Sequence, residues 1–232
     1  MKTRAFSTTL LMVSVCSLPV AAQVAQTGAP NPALWESTPD AAALGSGGRG
    51  FLSYGVDDRN GDWMIAGGFR LLGGVLRASY GKGTYFGTLN DYAIGYARPL
   101  YRQNVGPWMS WGSGLDLLAA SQRSPSGLYQ NQAVRLMVPF SVRLGSPTSF
   151  SIAPYVGPYA EFANGQYLRG CDNNGCANSF LASGNTYSGG LAFGAEVTAW
   201  RLGLTVGAAG VPAGLRAFRP GWRASAAVRV RF

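Results

Sequence analysis

Histidine is absent from the 232 residues, which removes the commonest general base and the commonest metal ligand. The remaining groups able to do chemistry are arginines and carboxylates at alternating positions, an acidic turn, a glycine–lysine stretch and a cysteine pair. The acidic turn, Asp57-Asp58-Arg59-Asn60-Gly61-Asp62, lacks the ligand spacing of an EF-hand loop, and its Asn-Gly is a hairpin signal. Gly81-Lys82-Gly83-Thr84 is too short for a phosphate loop, and no Gly-x-Ser-x-Gly elbow occurs. Cys171 and Cys176 enclose the turn-like Asp-Asn-Asn-Gly. A two-thiolate metal site would need ligands that histidine cannot supply here.

The charged groups fall on segments of strict two-residue alternation, which specifies strands with two unlike faces. In the clearest, Val134, Leu136, Val138, Phe140, Val142 and Leu144 form one face, and Arg135, Met137, Pro139, Ser141 and Arg143 the other. Arginines in a dry core are costly unless paired, so the second face is wet or salt-bridged. The same phase elsewhere places Arg70, Arg77, Arg223, Arg229 and Arg231 with Asp91, Asp116, Glu161 and Glu196 on the charged side. Alternation alone does not say which face is enclosed: a soluble barrel would enclose the apolar set, a membrane barrel the charged one.

Ten such segments are expected from residue 50 onward. They are centred on 51–56, 63–71, 76–80, 92–96, 108–117, 134–144, 150–162, 191–199, 202–208 and 222–232. The alternative count is eight. Gly73-Gly74, 145–148 and 201–202 are tight links, the link at 98–107 is longer, and 163–187 is the longest connection. Pro154 and Pro158 each remove a ladder donor from the seventh segment, so bulges or a poorly paired upper strand are expected there.

Residues 1–22 read as a signal peptide: Lys2 and Arg4, an apolar stretch from Leu10 to Val20, then Val20-Ala21-Ala22 before Gln23. A buried helix is the alternative, and Cys16 leaves with the signal. Residues 23–49, with Pro30, Pro32, Pro39 and Gly45-Ser46-Gly47-Gly48, read as a periplasmic linker. An exported chain meets an oxidising compartment, so Cys171 and Cys176 are expected to form a loop-stapling disulfide. Charged residues are scarce at 12%, against 33 glycines and 12% aromatics, which suits a barrel wall in lipid better than a soluble α/β enzyme. The net charge of +9 is spread singly along the segments. No nucleic-acid partner is expected.

The stretch Trp222-Arg-Ala-Ser-Ala-Ala-Val-Arg-Val-Arg-Phe232 alternates throughout and stops on Phe232. It resembles the closing strand of bacterial outer-membrane β-barrels of the small OmpA/OmpX-like class, whose terminal aromatic serves as the assembly signal. The resemblance implies an all-β fold, a closed antiparallel up-and-down transmembrane barrel over 50–232, an outer-membrane address, and contact with lipid, lipopolysaccharide and the barrel assembly machinery. Trp63, Tyr80, Tyr92, Tyr96, Trp108, Trp111, Trp200 and Trp222 then read as interfacial anchors, with an aromatic core as the alternative. Barrel enzymes of this compartment rely on histidine, so the expected role is non-enzymatic, with no catalytic, cofactor or metal site. A lumen this narrow is largely filled by side chains. The expectation is a salt-bridged plug lined by Arg70, Arg77, Asp116, Arg135, Arg143, Glu161, Glu196, Arg229 and Arg231. The alternatives are a narrow pore for small anionic or amphipathic solutes and a soluble lipocalin-like binder.

Overall fold

β-Branched and aromatic side chains alternating with small or polar ones favour a pleated strand whose two faces differ, and every described element is a strand. The computed structural model describes residues 50–57, 63–84, 88–123, 125, 130–146, 148–169, 180–210 and 223–232. The signal peptide at 1–22, the linker at 23–49, Cys171, Cys176 and Trp222 lie outside the described residues.

The strands are β1 (Gly50–Asp57), β2 (Trp63–Leu71), β3 (Gly74–Thr84), β4 (Thr88–Asn104), β5 (Met109–Arg123), β6 (Gln130–Met137), β7 (Phe140–Gly145), β8 (Phe150–Arg169), β9 (Phe180–Ala199), β10 (Leu202–Gly210) and β11 (Arg223–Arg231). Neighbouring strands pair antiparallel, and β1 pairs with β11 to close the ring. β6 and β7 both lie between β5 and β8, as two halves of one strand. The fold is a closed up-and-down barrel of ten strands, one of them interrupted.

The interruption has a chemical cause. Val138 N–H donates to the Pro158 carbonyl at 3.1 Å and Gly114 N–H to the Pro139 carbonyl at 2.9 Å, but neither proline can donate in return. The β7–β8 ladder likewise skips Val142 and Arg143, which face Pro154 and Ala153. No bulge forms at Pro154 or Pro158; the loose pairing expected there is present as these gaps in the ladder. Met137 pairs with Tyr159 and Phe140 with Val156, so the register runs through unshifted, and β8 pairs continuously with β9. Gly157 allows this, since a Cβ there would stand 2.9 Å from Pro139 Cα.

Several boundaries differ from the sequence expectation, three of them at connections. The link expected at 98–107 shrinks to 105–108, because β4 absorbs Pro99 at a bulge and continues to Asn104. The connection expected at 163–187 shrinks to 170–179, because backbone pairing carries the Asn-, Gly- and Ser-rich flanks of β8 and β9 as strand. The turn placed at Gly73-Gly74 sits at Leu72-Gly73, both with positive φ (49° and 76°), which suits the type I′ hairpin. The tight turns gather at the barrel end that holds Gly50 and Phe232, and Gly50 and Phe232 exchange two backbone hydrogen bonds of 3.1 Å there.

The two faces are unequal. Outward residues include Leu52, Tyr54, Ile65, Ile94, Leu117, Val134, Leu136, Ile152, Phe193, Leu204 and Val228, all exposed. Aromatic contacts form at both ends of this wall. Trp63, Tyr80 and Tyr92 meet edge-on or tilted near the loop end, and Tyr101, Trp111 and Phe140 meet tilted near the tight-turn end. Tyr96 donates its hydroxyl to the Leu71 and Leu72 carbonyls. Inside, apolar groups such as Met64, Ala66, Ala93, Leu118 and Ala120 share the face with buried charge.

Candidate functional site

The barrel interior is where this chain concentrates ionisable groups. Arg77, Arg135, Arg143, Arg229, Asp91, Asp116, Glu161 and Glu196 are all buried on the inner face, and the Arg231 side chain is 12% exposed. Arg70 shares their phase on β2 but lies two residues from the Leu72 turn and is exposed at the barrel mouth. The side chain of Arg223 lies outside the described residues.

Two clusters form. In the first, Arg77 makes a bidentate pair with Asp116, Nη1 donating to Oδ2 at 3.0 Å and Nη2 to Oδ1 at 2.6 Å. Beside it, Arg135 Nε donates to Glu161 Oε2 at 2.6 Å and Nη2 reaches the same oxygen. The Arg135 guanidinium also lies 5.1 Å from the centre of the Tyr159 ring. In the second, Glu196 takes both Arg229, at 3.2 and 3.4 Å, and Arg231, at 2.5 Å. Arg229 lies over Phe51, 4.9 Å from the ring centre, and Thr198 donates its hydroxyl to Glu196 at 3.5 Å. Charge-assisted, bidentate geometry of this kind offsets the desolvation that buried ions incur.

The strands position these pairs in two ways. Arg135 and Glu161 are direct cross-strand partners on β6 and β8. Arg77 and Asp116 instead sit on β3 and β5, with β4 between them, and the residue of β4 opposite Arg77 is Gly95. A Cβ on Gly95 would stand 2.8 Å from Arg77 Nε and 2.9 Å from a Leu118 methyl. The arrangement recurs in the second cluster. Arg229 on β11 reaches Glu196 on β9 past β10, where Gly203 is its register partner, and a Cβ on Gly203 would stand 3.0 Å from Glu196 Oε1. In both places a glycine leaves open the corridor along which an arginine crosses one strand to its carboxylate.

Sequence reasoning assembled the charges but not their partners or the two corridor glycines. The signal was an inner-face glycine on the strand between an arginine and a carboxylate, readable only once the register is known. Chemically, the arrangement holds fixed, neutralised charge: Asp116 and Glu161 each face a guanidinium, and Glu196 faces two. Among the described residues no three His, Cys, Asp or Glu side chains converge as a metal site would require. No model of a known family matches the chain, and no curated protein is detectably similar to it.

Proposed function

We propose that the chain is a bacterial outer-membrane β-barrel that acts without catalysis, through its wall and loops, in membrane integrity or surface interaction, and that its polar lumen is plugged. The observation that carries this reading is the inversion of the two faces. Leucine, isoleucine, valine and phenylalanine cover the outside, while arginine and carboxylate are enclosed. Water would penalise so continuous an apolar wall, whereas lipid requires it, and closure leaves no unpaired edge for lipid to meet. Aromatic contacts at both ends of the wall fit the two interfaces, and the export signal expected at 1–22 fits the address. The ion pairs and the apolar groups packed among them support a plug.

The test is a cell fractionation followed by a gel run with and without boiling. A membrane-bound band that changes mobility on boiling is expected. Protein left in solution after membranes are pelleted would overturn the reading in favour of a soluble binder. In planar bilayers the purified barrel should be silent, and a steady unitary conductance would replace the plug by a narrow pore.

A further inference from the structure

One part of the outer wall is organised in rows of differing chemistry. Cross-strand pairing places Ala78, Ile94, Ala119, Val134 and Phe162 in one row over β3, β4, β5, β6 and β8. The next row toward the loop end is Tyr80, Tyr92, Ser121, Gln132 and Asn164, and the row beyond it begins Lys82, Asn90, Arg123 and Gln130. The small side chains of Ala119 and Ser121 on β5 lie between larger ones at Tyr92 and Ile94 on β4 and Gln132 and Val134 on β6, leaving an open groove of about 610 Å³ that reaches Ala78 and Phe162. Lys82 and Arg123 are exposed above it, and the Tyr80 hydroxyl donates to Asn90 at 3.2 Å. The carboxylates with described side chains, Asp91, Asp116, Glu161 and Glu196, are all buried inside. None of them offsets these cations on the wall.

We infer that this groove binds one phosphorylated lipid, with its phosphate against Lys82 and Arg123 and an acyl chain along Ala119. The rows follow the order of such a molecule. Cations come first, then hydroxyl and amide groups at the level of the ester linkages, then an apolar trough, each about 7 Å from the next. A volume of this size lies within the range of small-molecule sites, roughly 300–1,000 Å³. A second copy of the barrel would fit the apolar trough but would leave the paired cations unexplained. The inference rests on the membrane-spanning reading above and goes further, in naming a headgroup chemistry and a place on the wall.

The experiment is native mass spectrometry of the barrel released from detergent micelles, with dioleoylphosphatidylglycerol or dioleoylphosphatidylcholine added as probe. One phosphatidylglycerol should be retained per barrel, in preference to phosphatidylcholine. Two cations near a lipid phosphate imply a preference of about thirtyfold, which Lys82→Gln with Arg123→Gln should abolish. Ala119→Trp should block retention of either lipid, and Leu204→Trp, on β10, should change nothing. Each variant is first checked for the boiling-dependent mobility shift, and Ala119→Leu takes the place of the larger substitution if that one does not fold. Equal retention of the two lipids, or retention untouched by filling the groove, overturns the inference. So does a dimer mass that Ala119→Trp removes, which would assign the trough to a second copy. A chain that stays in solution without detergent refutes the membrane reading itself, whereas a folded barrel that ignores phosphatidylglycerol refutes only the lipid site.

Discussion

Replacing Glu196 by glutamine tests whether paired charge holds the interior together. Glu196 is 1% exposed and faces Arg229 and Arg231, whose side chains are 6% and 12% exposed. Glutamine keeps the volume and one acceptor oxygen but removes the negative charge that two largely buried guanidiniums face. Removing one partner of a buried pair costs about 3–5 kcal/mol, and the retained acceptor argues for the lower end. With a urea slope of about 1–3 kcal/mol per molar, the unfolding midpoint should fall by about 1–3 M. The assay is urea titration of the refolded barrel in micelles, read by tryptophan fluorescence and by the gel shift on boiling. Adding Arg229→Leu to Glu196→Gln should recover at least half of the loss, because it withdraws one of the two buried cations that faced Glu196. A shift below about 0.3 M would refute the reasoning. It would place the pair in water-like surroundings, where such contacts contribute about 0–1 kcal/mol.

Three further outcomes are expected. Gly95→Val should cost about 1–3 kcal/mol by overpacking, since its Cβ would stand 2.8 Å from Arg77 Nε, whereas Gly106→Ala, with open space around it, should be neutral in the same urea titration. Pro158→Val should restore a donor toward the Val138 carbonyl and add about 0.5–1.5 kcal/mol, and the amide introduced at position 158 should exchange slowly with solvent deuterium. Deleting Phe232 removes both 3.1 Å backbone bonds to Gly50 and should cost about 1–3 kcal/mol, with faster amide exchange at Gly50 as the local signature.

Ten alternating segments, their two faces and their antiparallel order were legible in the sequence, because side-chain direction in a strand depends only on parity. Val134 to Leu144 shows this most plainly: the residues that alternate in the sequence alternate in exposure, and even Pro139 keeps its phase. Strand length was less legible. Backbone pairing extends a strand through residues of low propensity wherever the neighbour is already in place, as β8 and β9 do beyond Glu161 and Ser188.

Which arginine meets which carboxylate was not legible at all. Arg77 and Asp116 are 39 residues apart and Glu196 and Arg229 are 33 apart, and neither pair lies on adjacent strands. Their meeting depends on the register of the strand between them and on a glycine at one position of it, Gly95 or Gly203. Parity is a property of the chain and can be read locally. Register is a property of the closed ring, since every strand's offset must agree with all the others before β1 can meet β11. The sequence therefore determined that the charges share one face, and only closure of the barrel decided how they pair.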